Sequence, residues 1–378
     1  MADRESEVVA KIAGGVSGLN PHAWDRLTGG DPFLSHAFLS SLEDSDSVGP
    51  GSGWTPAPIL IEEEGKLLAA APSYLKTHSQ GEYVFDHGWA EAWERAGGDY
   101  YPKLQVAVPF TPVPGARLLG WRRQHLLAAL EAVTVQNGMS SAHITFLNDA
   151  DVAECERREW LMRDGIQYHW FNRGYSAFDD FLGALSSRKR KTIRKERAGA
   201  REGLQFRALR GEGIGRAEWD AMWAFYQDTG SRKWGNPYLT RKFFDLIGER
   251  MGDRLLLLLA YRGSRPIAGA LNLIGPDTLY GRYWGCTEEV PFLHFELCFY
   301  QAIEWAIEHQ LASVQAGAQG EHKIARGYEP VITRSAHLIP NRSFRNAVGD
   351  FLETERAAVG NEVAWLQQGL PYRSSSSE

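Results

Sequence analysis

The chain passes twice through one order of elements, and that order restricts the fold more than any single motif does. Alternation of apolar and polar residues marks strands at 58–63, 66–76 and 103–108. Apolar residues at helical spacing mark a long helix at 121–137, and a strand follows at 142–147. The second half runs strand (204–209), two helices (216–229 and 241–251), three strands (254–262, 266–274 and 278–286), a helix from 292 to 311 and a short strand at 312–315. Around this frame the pattern predicts strands at 7–12, 83–86 and 166–171 and helices at 21–27, 32–42, 89–97 and 152–162. Strands and helices that alternate in this way pack as α/β layers. The halves share element order only, with no identity between their residues.

A length of 378 residues accommodates two domains. Hydrophobic residues make up 43% of the chain, with 13 Trp, 14 Tyr and 17 Phe, which excludes a disordered chain. A net charge of -6 excludes a protein that coats nucleic acid over its whole surface. Cys155, Cys286 and Cys298 lie far apart and give neither a disulfide framework nor a zinc-ribbon spacing. The first residues, MADRESEVVAKIAGG, carry charge where a secretory leader needs an apolar core, and the longest apolar run, 255–260, is too short for a membrane span. The expectation is a cytoplasmic protein.

Periodicity fails after the strand at 312–315. The stretch AGAQGEHKIARGYEP, 316–330, fits no period of 2 or 3.6 and mixes Gly317, Gly320 and Gly327 with Gln319, Glu321, His322, Lys323 and Arg326. A glycine-rich loop of titratable groups after a strand is a candidate functional loop, weighed against an ordinary polar connection. His322 suits proton transfer, since its ordinary pKa lies near neutrality, with Glu321 to orient it or to act itself. Lys323 and Arg326 suit stabilisation of developing negative charge. Glu321, His322 and Lys323 are therefore the catalytic candidates, and Gln319, Gly320 and Arg326 candidate binding residues. A structural role for His322 is the competing reading.

Other segments supply further candidates. The stretch 177–203 reads as one linker helix, apolar at Phe178, Phe181, Leu182 and Leu185 and basic on the stripe Arg190, Arg194, Arg197 and Arg201. In an acidic protein such a stripe is a local patch for phosphates, with Arg190 and Arg194 singled out, or else a solvated helix face. RGEGIG at 210–215 has the glycine spacing of a phosphate loop, but such short patterns are common by chance. The turn at 283–291 holds Trp284, a candidate donor contact, yet is acidic at Glu288 and Glu289. In the first half Lys76, Tyr101 and Lys103, with Asp86, are placed in an acceptor cleft between domains. His294 and Cys298, four apart on one helix, are too few ligands to assign a metal.

Five segments carry a family resemblance: HAFLSSLEDSDSVG from His36, YLKTHSQGEYVFD from Tyr74, YYPKLQVAVPFTPVPG from Tyr100, LSSRKRKTIRKER from Leu185 and GAQGEHKIARGYEP from Gly317. They span nearly the whole chain. With the element order they resemble the FemAB-like family of peptidoglycan biosynthesis or recognition, within the acyl-CoA N-acyltransferase (GNAT) superfamily. The resemblance implies two tandem GNAT-like domains: 1–175, then 176–345 with the basic linker helix, then a C-terminal helix and disordered end over 346–378. It implies transfer of an acyl or aminoacyl group from acyl-CoA or aminoacyl-tRNA to an amine of a small molecule, peptide or cell-wall precursor. No tightly bound cofactor is expected, acyl-CoA serving as co-substrate and tRNA engaging the basic helix. Fem aminoacyltransferases carry a long paired-helix arm for tRNA, and 177–203 is too short to be one. The alternative is a non-catalytic protein that recognises a cell-wall precursor or a polyanion.

Overall fold

A computed structural model describes residues 8–233, 237–317 and 320–373. Contacts divide the chain into two units, Met1–Gly165 with Ile332–Gly360, and Ile166–Val331 with Asn361–Glu378. The divisions at 175 and 345 read from the sequence are continuous segments, whereas each unit here is assembled from two. No described helix is long and apolar enough to cross a membrane.

In the first unit, Val8–Ile12, Ile59–Glu63, Lys66–Ala71 and Leu119–Gly120 form an antiparallel sheet in that order. The hairpin between Ile59–Glu63 and Lys66–Ala71 turns on Glu64 and Gly65, both at positive φ (50° and 75°), the two-residue turn whose twist matches its flanking strands. A second set runs Trp54–Pro56, Ser73–Lys76, Lys103–Val106, Ala142–Leu147 and the end of Glu329–Leu338. The helix Arg123–Gln136 buries Leu126, Leu127 and Leu130 in a core with Ile59, Ile61, Val106 and Ile144.

Three local expectations change here. The stretch 83–86 is no strand: Tyr83 sits at φ 59°, and Glu82 and Asp86 turn inward to a lysine. The helix at 152–162 is displaced to Asp149–Arg157, and the following strand, Leu161–Phe171, starts five residues before the expected 166. The C-terminal helix is present, as Arg342–Gln368.

In the second unit, Gln205–Arg210, Leu255–Arg262, Arg265–Ile274 and Thr278–Cys286 form an antiparallel run. Ser313–Gln315 then pairs parallel to Thr278–Cys286 and antiparallel to 169–171. The unbroken apolar run 255–260 reflects burial on both faces. Leu256, Leu258 and Ala260 join the core with Ile303 and Ala306 of the helix Gln301–Glu308. Leu259 lies on the other face near Phe225 and Met222, which close over Gly269 so tightly that a Cβ there would meet Leu259 at 2.9 Å.

The expected linker helix is two helices, Phe178–Ala184 and Ser187–Arg201. Leu185 between them is extended and bridges Tyr372, while the Ser186 amide donates to Pro371 O (2.9 Å) and the Arg373 amide to Ala184 O (3.0 Å). The C-terminal segment thus takes the hydrogen bonds that a continuous helix would have made internally. The helix expected from 292 also changes pitch: Leu293–Phe295 is α, Glu296–Tyr300 is π and Gln301–Glu308 is α again. A π turn inside a helix frequently marks a functional site.

Candidate functional site

Parallel pairing between Thr278–Cys286 and Ser313–Gln315 covers three positions only, ending at Tyr280 with Gln315. The first strand continues to Cys286, while the second leaves the sheet through Ala316 and Gly317 (φ 77°). The neighbouring ladder shifts register between Leu271 and Asn272, at the level of Gly281. These irregularities open a cavity of about 440 Å³. Asn272 and Gly281–Trp284 line it from the sheet, His294, Cys298 and Phe299 from the helix, and Gly317, Gly320, His322 and Lys323 from the loop.

The expected loop is largely a short 3-10 turn, Glu321–Arg326, entered at Gly320 (φ 114°) and left at Gly327 (φ 89°). Both glycines are required. A Cβ on Gly320 would meet the His322 ring at 2.4 Å, and one on Gly327 the Phe181 ring at 2.7 Å. Lys323 is only 2% exposed, and its Nζ donates to Gly317 O at 2.7 Å. Burial pushes its pKa down to about 8, the nearby Cys298 thiol opposing. No carboxylate pairs with Lys323 among the described residues. Burial, then the Lys323 charge, drives His169 down to about 4.

Arg326 holds the turn from beneath. It is 8% exposed, donates to Glu196 Oε1 (2.8 Å) and to His322 O (2.8 Å), and lies over the Phe295 ring at 3.4 Å. Glu196 also accepts from the Tyr300 hydroxyl, on the π segment. Read from the sequence as a ligand contact, Arg326 has its charge met by Glu196 and anchors the loop backbone.

The candidates therefore separate. His322, Lys323, Gly320 and Trp284 meet around one cavity. Glu321 is exposed and borders a different recess, so it does not orient His322 there. Gln319 lies outside the described residues.

The basic stripe is partly neutralised. Arg197 reaches Glu296 (3.1 Å) and Glu304 (2.6 Å), and Arg201 reaches Glu296 (2.7 Å). Arg194 pairs with Asp179 at 3.2 Å in the open, and Arg190 is half-buried. Glu288, expected to repel phosphate from the 283–291 turn, is held by Arg262 and Arg265, and these hydrogen bonds lower its pKa.

Lys76 and Lys103 are 0% and 1% exposed, so they line no cleft. Lys103 donates to Ser79 (2.8 Å), Glu82 (2.8 Å) and Asp86 (2.6 Å). Lys76 donates to Gln80 O (2.8 Å), lies over the Trp54 ring at 3.7 Å and stands 3.5 Å from Glu82. Tyr101 bonds Ser79 at 2.8 Å. Lysines enclosed with their own carboxylates have no charge left for a ligand.

Sequence reasoning passed over Asn272 and Arg282, and it named Cys298 only as a weak metal ligand. Asn272 left a readable trace: one amide inside the apolar strand ALNLI.

A family model described as FemAB-like, peptidoglycan biosynthesis/recognition, matches residues 15–374. The chain belongs to the FemAB-like family. No curated protein matches it in sequence. Its fold is similar to the crystal structure of FemX, with a TM-score of 0.54 at 10% identity over 91% of this chain and 100% of that one. A conserved protein of unknown function from Bacteroides thetaiotaomicron gives 0.52 at 10% identity, over 87% of this chain and 99% of that one. A tandem GNAT protein from the clavulanic acid biosynthesis pathway gives 0.47 at 11% identity, over 89% of this chain and 99% of that one. The FemAB-like chain thus has a FemX-like mixed α/β fold with a C-terminal helix, in a family of peptidoglycan biosynthesis or recognition.

Proposed function

We propose that this FemAB-like protein transfers an acyl or aminoacyl group to an amine, and that the reaction runs in the cavity of its second, GNAT-like unit. The observation that carries the reading is Lys323, a cation enclosed at the cavity wall with a backbone carbonyl as its partner. Enclosing a charge without a counter-ion costs stability and persists where the charge has a task.

In the transfer, the amine nitrogen attacks the donor carbonyl, the C–N bond forms, and the carbonyl oxygen becomes an oxyanion. The C–S bond of a thioester, or the C–O bond of an ester, then breaks, and the amine proton passes to the leaving group. Lys323 in its charged form stabilises the oxyanion from the buried side of the cavity wall. His322, at the cavity rim, carries the proton. The parallel ladder ends at Tyr280 and Gln315, and the cavity that opens there suits an extended donor such as the pantetheine arm of acyl-CoA. Arg190 and Arg194, on the separate basic helix, are the contacts offered to an aminoacyl-tRNA donor.

The test supplies acetyl-CoA and aminoacyl-tRNA in parallel, with a panel of amines. Binding is followed by calorimetry, and consumption by thiol release or by loss of the aminoacyl ester. One donor is expected to bind and be consumed, and Lys323→Met to remove consumption while the protein stays folded. Binding without consumption by the unaltered protein would favour the recognition reading. Equal consumption by Lys323→Met would remove the mechanism.

A further inference from the structure

The turn Glu321–Arg326 has a second working face. Lys323 borders the cavity described above, whereas Glu321, Ile324 and Ala325 border a separate recess of about 430 Å³ in the same unit. Its other walls are Lys189, from the helix Ser187–Arg201, and Trp365 and Leu366, near the end of Arg342–Gln368. A volume of several hundred Å³ is in the range of small-molecule sites.

The lining is of three kinds. Ile324 and Leu366 are buried, 8% and 3% exposed, and give an apolar floor. Trp365 is 66% exposed, so most of its ring awaits cover. Glu321 and Lys189 carry opposite charges on the wall, and neither has an ion-pair partner among the described residues. A purely anionic ligand would be opposed by Glu321, and a purely cationic one by Lys189. A molecule with an ammonium group, an acid group and an apolar body satisfies all three kinds of lining.

The geometry points to a binding site for an amphoteric molecule, an amino acid or short peptide, with its ammonium group on Glu321, its carboxylate on Lys189 and its side chains over Trp365 and Leu366. Glu321 and Lys323 stand two residues apart on one 3-10 turn, so a ligand on Glu321 is carried by the same turn as the reaction cavity. Its assignment as the amine acceptor rests on the acyl-transfer reading; its binding does not.

Calorimetry with the dipeptide L-alanyl-L-leucine on the full chain tests the site. Affinity is expected near the millimolar range, falling by about tenfold when either the amine is acetylated or the carboxylate amidated. Glu321→Gln should abolish the preference for the free amine and keep that for the free acid, and Lys189→Gln should do the reverse. Absence of binding, affinity unchanged when the amine or the carboxylate is blocked, or preferences untouched by the two substitutions would overturn the proposal. Acetyl-CoA and aminoacyl-tRNA, supplied in parallel with the dipeptide to the unaltered protein, separate the two readings. Dipeptide binding as described with no donor consumed sinks acyl transfer and leaves the recess standing. Donor consumption without dipeptide binding sinks the recess alone.

Discussion

Lys103 in the first unit and Lys323 in the second are almost equally buried, at 1% and 2% exposure, and their surroundings are opposite. Burial alone would lower the pKa of Lys103, but Asp86 and Glu82 outweigh it and hold the pKa above the ordinary value. Among the described residues Lys323 has one hydrogen-bond partner, the neutral Gly317 carbonyl, and no carboxylate, and burial brings it down to about 8. Burial therefore does not mark a functional lysine; the missing counter-ion does. The first unit has closed its charges on one another, and the second has left one facing a cavity.

The largest effect expected is on the closed cluster. Lys103→Met leaves Glu82 and Asp86 enclosed with Lys76 3.5 Å from Glu82 and the neutral Tyr100 hydroxyl on Asp86, and should cost about 3–5 kcal/mol of stability. Denaturant unfolding measures it, and a loss below about 1 kcal/mol would mean that water reaches the cluster. The same cluster fixes an acid limit. Burial, and then Lys103, holds His143 down at about 3, and burial, and then His143, holds its partner His337 (2.7 Å) well below the ordinary value. Both fold neutral, so their contribution is complete above the ordinary His pKa of about 6.5 and is lost as pH falls below it. The melting temperature should decline with acid from that point.

Lys323→Met should behave in the opposite way. Removing an unpaired buried cation leaves stability unchanged or raised, while transfer should fall by about 10²–10³-fold, as when an oxyanion contact is lost. The pH signatures diverge too. The folded pKa of Lys323 lies below its unfolded value, so its penalty is full below about 8 and fades as pH rises towards the unfolded pKa of about 10.4. Lys103 has a raised pKa, so its contribution is present below the unfolded value and is lost only above it. The stability gained by Lys323→Met should therefore shrink between about pH 8 and pH 10, and a constant gain would show that Lys323 is not held below its ordinary pKa. Transfer by the unaltered protein should decline above about pH 8 as the charge is lost.

What the sequence tells of these two lysines is unequal for a physical reason. Lys323 was legible because its surroundings obey no period: a packed element leaves periodicity behind, and 316–330 has none. Lys103 stands in Lys-Leu-Gln-Val, which alternates like a strand with one wet face, yet all four residues are buried. Its partners Glu82 and Asp86 lie in a non-repeating stretch some twenty residues earlier, and nothing local announces the pairing. The same holds at Leu185, where the pattern continues helically and the helix breaks because Tyr372, far along the chain, pairs there. The turn at Glu64 and Gly65 was legible as the two-residue gap between the strands read at 58–63 and 66–76, because its chemistry is local. The division of the loop into a face with His322 and Lys323 and a face with Glu321 was not, since a 3-10 turn sets it only after folding.

The basic helix repeats the comparison on a smaller scale, within one stripe. Arg197 binds Glu296, which is 0% exposed, and Glu304; Arg197→Ala leaves that enclosed carboxylate to Arg201 and Gln301 and should cost about 1.5–3 kcal/mol. Arg194, one turn earlier, meets Asp179 where both side chains are more than half exposed, and water screens the pair. Arg194→Ala should change stability by less than about 0.5 kcal/mol. Because it is structurally idle, Arg194 is also the cleaner probe of the tRNA question. Each lost phosphate contact flattens the salt dependence of binding by somewhat less than about one unit in log K against log salt. Filter binding of tRNA to the Arg190→Ala, Arg194→Ala pair should show that flattening if the helix serves a tRNA donor. An unchanged slope would leave Arg194 a solvated cation, and acyl-CoA as the donor to pursue.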